Sequence, residues 1–469
     1  MKLLSYFSIK TPLYLAYMAQ QVEYEPDKLV GWLLRRPNLF KVMRRKELVM
    51  TKKASALILF QYICLALFLV FLGVLSSMIS SILFIAVLLV PIVSAGSLML
   101  AIYGGRALTW PINKRKVEKS KTIFSKHPGT KIAILGSYGK TTMKELLYTV
   151  LSEAKNVKAT PGNKNVPISH ARWAESLSGD EDILLIEYGE AKPGDIPAFC
   201  ENTSPDYAVV TGIAPNHMDR YKTLENLAND IASVSRFVNL EKIYLNADED
   251  KLTRSTELSK ANLYGSAGVG KAKIKDVKIG LEGMSFSVQT GKESIALKTG
   301  LVGRHLLGPL AVCVLLALKF GLSKEEIKHA ISRTKPFEHR LQPKEINGAW
   351  IIDDTYNGSL EGFRAGLALL KELKAKRKVY VTPGLVDQGE ETERVHREIG
   401  KLIAECNPDK VVLMNNSTTE YIKSSLKSHG YKGQFEVQDE PLEYYMNLEH
   451  TLAAGDIVLL QNDWTDNYS

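Results

Sequence analysis

The sequence predicts an α/β protein with largely parallel sheets, carried behind a pair of membrane-spanning helices. Three observations lead there. Fifty consecutive residues, Ala54–Tyr103, contain no Asp, Glu, Lys, Arg or His. Beyond residue 128, short apolar runs alternate with helix-like stretches, the pattern of strands buried on both faces between helices. A glycine loop ending in Lys-Thr-Thr separates the first of those runs from the first of those helices.

A bilayer-crossing helix needs about 20 apolar residues, so the uncharged block holds two spans and a tight turn. The expected turn is Ser76-Ser77-Met78-Ile79-Ser80-Ser81, the most polar part of the block. A hairpin buried in a soluble domain fits fifty uncharged residues poorly, and a cleaved signal peptide would be shorter and nearer the N-terminus. Residues 1–53 carry eleven Lys/Arg against four Asp/Glu, and residues 104–125 carry six against one. The formal charge of +9 therefore belongs to these flanks, and the rest of the chain is net acidic. No nucleic-acid partner is called for.

Arg35, Arg36, Arg44, Arg45, Lys46, Lys52 and Lys53 precede the first span, and Arg106, Lys114, Arg115 and Lys116 follow the second. The positive-inside rule puts both ends in the cytoplasm, facing the anionic lipids of the inner membrane. Residues 1–53 then form a basic juxtamembrane segment, with Tyr14, Tyr17, Tyr24, Trp32 and Phe40 among its charges. It is either an amphipathic helix on the membrane surface or a solvated leader. Residues 54–103 are the hairpin, and 104–128 a charged linker closed by His127-Pro128-Gly129.

At 469 residues, 45% apolar and 24% charged, the chain has room for two or three ordinary globular domains. Cys64, Cys200, Cys313 and Cys406 are scattered, without a CxxC pair or metal-ligand spacing. Reduced thiols in the cytoplasm are the expectation. Strands are expected at Lys131–Leu135, Ile183–Glu187, Tyr207–Thr211, Trp350–Asp353, Val379–Thr382, Lys410–Met414 and Asp456–Leu460. Helices are expected at Thr141–Ala154 and Leu360–Leu373, and a domain boundary near 335–342.

The loop Gly136-Ser137-Tyr138-Gly139-Lys140-Thr141-Thr142 lies between a strand and a helix, where a phosphate loop belongs. Its glycines let backbone N–H groups close around phosphate, and the helix N-terminus favours the negative charge. Lys140 would reach the β and γ phosphates, and the Thr141 hydroxyl would ligate Mg²⁺. The full GxxxxGK[ST] form is not met, because Ile134 stands at its first glycine. Two further groups follow strand ends, where open α/β sheets bind ligands. Glu187 ends one apolar run, and its carboxylate suits a Mg²⁺ shell. His217 lies in the loop after Tyr207–Thr211.

Together with Gly162-Asn163-Lys164-Asn165-Val166-Pro167 and Glu187-Tyr188-Gly189-Glu190-Ala191-Lys192-Pro193-Gly194-Asp195, the loop resembles the central ATPase domain of Mur ligases. Pro205–Thr211, Asn216-His217, Gly303-Arg304-His305, Glu338-His339-Arg340-Leu341 and Asp353-Asp354-Thr355-Tyr356-Asn357 continue the series. Thr382–Gly389 and Gln461-Asn462-Asp463 look like the C-terminal domain, and the whole series is most like the MurF branch. That branch joins D-Ala-D-Ala to the muramoyl tripeptide.

The resemblance implies a P-loop-containing central ATPase domain over 129–338 and a Rossmann-like C-terminal α/β domain over 339–469. It implies ATP and Mg²⁺ as cofactors, and a peptidoglycan precursor with an amino acid or dipeptide as substrates. Gly136, Ser137, Gly139, Lys140, Thr141 and Thr142 would hold phosphate. Thr141, Glu187 and His217 would serve the metal, and Arg340 and Asp354 would contact phosphate and ribose. Lys140, His217 and Arg340 would carry the catalysis.

The sequence also departs from the family. Ile231 stands fourteen residues after His217, where members carry a carbamoylated lysine; either the adjacent Asp230 or water completes the metal shell in its place, or a single Mg²⁺ serves. Pro309 replaces an asparagine that contacts adenine, and the membrane hairpin stands where a uridine-binding domain is usual. Two other readings therefore stay open. One is a Mur-type ligase with a different acceptor, lipid-linked or non-muramoyl; the other is a membrane-anchored ATP-binding scaffold for cell-wall enzymes.

Overall fold

The computed structural model describes residues 7–22, 24–34, 39, 48–76, 89–162, 164–215, 217–247, 258, 260–356, 358–385 and 388–462. The turn expected at 76–81 lies outside them from residue 77 on. So do Arg35, Arg36, Phe40, Arg44, Arg45, Lys46, Asn163, Asn216, Asn357, Val386, Asp387 and Asp463. The chain divides into two units, Met1–Arg115 and Lys116–Ser469.

The first unit is helical. Its elements are α1 (Thr11–Gln21), α2 (Pro26–Leu34), α3 (Lys52–Ser76) and the start of α4 (Val90–Lys126). Leu15, Tyr17 and Met18 of α1 and Leu29 of α2 are buried in one cluster with Leu57, Leu98 and Ile102. Within the leader, Thr11–Gln21 and Pro26–Leu34 are thus packed helices. Other faces of the long helices stay apolar and uncovered, with Leu59, Ile63, Leu67, Val70, Phe71, Ile92 and Leu100 exposed. Helices α3 and α4 are each long and apolar enough to cross a membrane.

The expected linker is instead helix, since α4 runs on to Lys126. Its Lys, Arg and Glu residues are good helix formers. In the second unit its last turns bury Phe124, whose ring lies 6.0 Å from that of Trp173.

The second unit holds two sheets. The first comprises β1 (Thr130–Leu135), β2 (Val157–Ala159), β3 (Ile183–Glu187), β4 (Tyr207–Val210), β5 (Ile243–Asn246) and β6 (Asn262–Gly265). It continues with β7 (Gly268–Val269), β8 (Ala272–Gly280), β9 (Gly283–Thr290) and β10 (Glu293–Thr299), in the order β10-β9-β8-β7-β6-β5-β4-β1-β3-β2. Pairing is parallel from β2 to β6 and antiparallel from β6 to β10. The expected parallel sheet is present from β2 to β6, and the antiparallel strands beyond β6 extend it into a mixed one. Gly280 pairs with Gly283 and Thr290 with Glu293, so two-residue turns join these strands and leave no length for a crossover helix.

Successive residues of the parallel strands enter opposite cores. Ile132, Ile134, Ile183, Leu185 and Val209 face α5 (Lys140–Leu151), α10 (Leu307–Lys319) and α11 (Lys324–Ser332). Ala133, Leu135, Leu184, Ile186 and Val210 face α7 (Asp195–Thr203) and α9 (Leu224–Ala232). Each such Leu or Ile, fully buried, contributes roughly 1.5–3 kcal/mol. Two further short helices here are α6 (Pro167–Ala174) and α8 (Met218–Tyr221).

The second sheet is β11 (Gln342–Ile346), β12 (Ala349–Asp354), β13 (Arg377–Thr382), β14 (Lys410–Met414), β15 (Gln434–Gln438) and β16 (Asp456–Gln461). Its order is β11-β12-β16-β13-β14-β15, and only β11 with β12 is antiparallel. Asn347 and Gly348, both at positive φ, make that two-residue turn. Helices α12 (Leu360–Glu372), α13 (Thr392–Cys406), α14 (Thr419–Ser428) and α15 (Pro441–Asn447) complete the unit.

Candidate active site

Strand β1 is flanked by β3 and β4, both parallel to it. The loop 136–139 leaves its C-terminal end between them. Gly136 has φ +134°, and a Cβ there would lie 2.4 Å from Thr211 Oγ1. Ser137 N donates to the Gly212 carbonyl at 2.8 Å, and Thr211 Oγ1 to the Tyr138 carbonyl at 2.5 Å. Gly139, at φ +73°, caps α5, whose first two residues are Lys140 and Thr141. The chain therefore turns sharply into a helix N-terminus beside two strand ends, which is an anion-binding geometry.

Two lysines and two glutamates meet there in pairs. Lys140 Nζ lies 2.7 Å from Glu190 Oε2 and donates also to the Gly136 carbonyl. One turn along the same face, Lys144 Nζ lies 3.1 Å from Glu187 Oε2. It donates as well to the carbonyls of Thr160, at 2.9 Å, and Gly162. The other Glu187 oxygen, Oε1, accepts from Thr141 Oγ1 at 3.2 Å and from Asn165 Nδ2 at 3.4 Å.

A hydroxyl and a carboxylate side by side at a helix N-terminus are hard oxygen donors. Mg²⁺ is held by one or two such groups together with substrate phosphates, so Thr141 and Glu187 fit that ion. His170, fully buried, donates from Nε2 to the Glu187 carbonyl at 2.9 Å, and its ring lies tilted against that of Phe199 at 5.0 Å. Burial pushes its pKa down to about 4, so it is a neutral prop behind the site.

The loop after β3 is braced on both sides of Glu190. Gly189 N donates to the Asn165 carbonyl at 3.0 Å. Asp195 Oδ2 accepts from Ala191 N and Lys192 N, each at 2.9 Å. Asp230 accepts from Gly194 N at 2.7 Å and from the Tyr221 hydroxyl at 3.0 Å, and it receives Ile196 N at 3.4 Å.

Just outside β11 and β12, Arg340 lies over the Tyr356 ring at 4.4 Å, leaving a planar guanidinium half-exposed. Asp354 accepts from Gln461 Nε2 at 2.8 Å and Leu341 N at 3.2 Å. Burial raises its carboxyl to about 7. The neighbouring Asp353 is tied to His339 at 2.9 Å and Lys344 at 3.1 Å.

The Mur ligase middle domain model matches residues 134–317, and the model of the Mur ligase glutamate ligase domain matches 339–461. The two together take in well over half of the chain. The chain belongs to the Mur ligase family.

As a Mur ligase it is an enzyme that forms carbon–nitrogen bonds. It is 24% identical over 334 residues to the UDP-N-acetylmuramoyl-tripeptide–D-alanyl-D-alanine ligase of Bacillus subtilis, covering 70% of this chain and 72% of that one. It is 28% identical to the enzyme of the same name from Borreliella burgdorferi, over 61% of this chain and 62% of the relative. In that second case the Mur ligase described here spans less than two thirds of its relative. The fold is similar to that of MurF ligase from Thermotoga maritima in complex with ADP, with TM-score 0.65, 22% identity, and 75% and 80% of the two chains covered.

Against this family background the departures take physical form. Ile231 is fully buried in the core. Asp230, expected as a substitute metal ligand, is instead spent on the N-terminus of α7, where a carboxylate matches free N–H groups and the helix dipole. His217 is exposed, at φ 53°, and opens the one-turn helix α8. Among the described residues no three His, Cys, Asp or Glu side chains form a metal-binding group. The residues present fit one Mg²⁺ at Thr141 and Glu187, and do not fit a second ion at 230–231. Pro309 lies in the first turn of α10, where a missing N–H costs nothing.

Lys144, Glu190, Thr160 and Asn165 were not singled out as site residues from the sequence. Lys144 alone carried a signal: it is a lysine among the core residues Met143, Leu146 and Leu147 of α5.

Proposed function

We propose that this Mur ligase couples ATP cleavage to amide formation on a peptidoglycan precursor, with D-Ala-D-Ala addition as its reaction. The observation that carries the reading is the pairing of Thr141 with Glu187 at 3.2 Å, beside Lys140. A substrate carboxylate oxygen attacks the γ-phosphorus of ATP, breaking the bond to the β–γ bridging oxygen and giving an acyl phosphate and ADP. The amine of the second substrate attacks the acyl carbon, inorganic phosphate leaves, and the nitrogen loses a proton.

Lys140 and the loop N–H groups hold the phosphates and balance charge as the phosphoryl group moves. Thr141 and Glu187 hold Mg²⁺, which supplies charge neutralisation between the two anionic reactants. We assign Arg340, stacked on Tyr356, to the phosphate, Asp354 to the ribose, and His217 to the metal region. The apolar faces of α3 and α4 fit two membrane crossings with the catalytic domains in the cytoplasm, touching membrane lipids there.

The same helices favour a second reading, in which the acceptor is lipid-linked and reaches the site from the bilayer surface. Incubation of the full-length protein with ATP, D-Ala-D-Ala and either a nucleotide-linked or a lipid-linked precursor decides it. Mass spectrometry should find an amide product and one ADP per product. ATP turnover that no acceptor stimulates would leave only the scaffold reading, and Lys140→Ala should abolish turnover without unfolding the chain.

A further inference from the structure

A phosphate loop does not of itself require an acid on its lysine, yet Lys140 has one. The side chains of Lys140 and Glu190 are 11% and 4% exposed, and their charged atoms lie 2.7 Å apart. The lysine that follows such a loop reaches the terminal phosphates of a bound nucleotide. Here its ammonium is already taken by a carboxylate and by the carbonyl of Gly136. A carboxylate and a γ-phosphate are both anionic acceptors for that ammonium, and at this depth they repel one another strongly.

We propose that Glu190 is a nucleotide-selecting residue. Its carboxylate occupies Lys140 in place of the γ-phosphate, and so opposes ATP more than ADP. This rests on the reading of Gly136–Thr142 as a phosphate loop. The backbone on either side of Glu190 is fixed by Asn165, Asp195 and Tyr221. Release of Lys140 therefore falls to rotation of the Glu190 side chain, not to movement of the loop. When the γ-phosphoryl group passes to the substrate carboxylate, Lys140 is free again and Glu190 takes it back. The ion pair thus favours the ADP state, and with it product departure, at the expense of ATP affinity.

Calorimetric titration of the full-length protein in detergent tests this, with Mg²⁺-ATP and Mg²⁺-ADP in separate runs and no acceptor. Glu190→Gln, which keeps the shape and removes the charge, should bind ATP at least about tenfold more tightly, as expected when a buried ion pair no longer competes. Its ADP affinity should rise less than about threefold, because ADP lacks the competing group. Glu190→Asp, with the carboxylate drawn back, should shift the ATP:ADP ratio the same way but less. Equal changes for both nucleotides, no change, or weaker ATP binding by Glu190→Gln would each overturn the proposal. Lys140→Ala separates the two levels. If it binds both nucleotides as the wild type does, the phosphate-loop reading itself fails, and the proposal with it. If it weakens ATP binding while Glu190→Gln leaves the ratio unchanged, the loop reading stands and Glu190 alone is wrongly assigned.

Discussion

The ammonium of Lys144 lies 3.1 Å from Glu187 Oε2, with the two side chains 0% and 2% exposed. The carbonyls of Thr160 and Gly162 accept from it, and Glu187 balances its charge. A buried charge left alone costs far more than a pair removed together. Lys144→Met should therefore destabilise the chain by about 3–5 kcal/mol, the usual range for breaking one side of a buried pair. The double variant Lys144→Met, Glu187→Leu should recover a good part of that loss. Urea unfolding is the measurement, and a loss below about 1 kcal/mol in the single variant would contradict a buried, charged pair.

Gly136→Ala tests the shape of the loop rather than its charge. The added carbon would lie 2.4 Å from Thr211 Oγ1 and 2.8 Å from the Gly212 carbonyl, at a φ of +134°. Strain of this kind costs about 1–3 kcal/mol before the clash is counted. The expected outcome is loss of ATP binding together with lower stability. Gly179→Ala is the control: it shares a positive φ of +90° but has open space around it, so only stability should fall.

Asp230 separates a capping role from a metal role. Its carboxylate serves the N-terminus of α7 and the Tyr221 hydroxyl. Asp230→Asn should lower stability by about 1–2 kcal/mol through weakened hydrogen bonds. The Mg²⁺ concentration giving half-maximal turnover should stay at its wild-type value. A sharply raised Mg²⁺ requirement would return Asp230 to the metal shell.

His170 should make the chain acid-sensitive. Its pKa is lowered to about 4 in the fold, against 6.5 ordinarily, chiefly by burial. The unfolded chain takes up a proton below 6.5 that the folded chain refuses. The stability due to neutral His170 is thus fully present above pH 6.5 and is lost as pH falls toward 4. The total loss is roughly 3 kcal/mol. In His170→Gln, stability measured between pH 7 and 4 should fall by that much less than in the wild type. Parallel pH curves for the two proteins would show that His170 is not held neutral.

The parallel half of the first sheet was legible because strands such as Ile183–Glu187 are covered on both faces and read as unbroken apolar runs. The antiparallel half was not. In β8 exposed lysines at 273 and 275 alternate with only partly covered neighbours, and a bulge between Lys275 and Lys278 breaks the period. Residues 111–126 read as a linker because their charges resemble one, while their buried side is carried by single residues such as Ser120 and Phe124. At the site, Lys140, Thr141 and Glu187 were marked by their places after β1 and β3. Glu190 was not, because its partner is fifty residues away in sequence and only the fold brings them together. The capping contacts of Asp230 are hidden in the sequence for the same reason: the free N–H groups it serves belong to α7.

The central position of β1 has a consequence for synthesis on the ribosome. It pairs on one side with Ile183–Glu187 and on the other with Tyr207–Val210, both made later. The antiparallel strands β7–β10, by contrast, each pair with the strand just made. Local pairings form quickly, and a strand that waits for distant partners is slow to settle and open to wrong ones. A nascent chain will therefore have released both apolar helices before Val210 emerges to complete the cleft. Two helices long and apolar enough to cross a membrane are thus complete before the cleft is, and an intermediate stalled between the two leaves both edges of β1 unpaired.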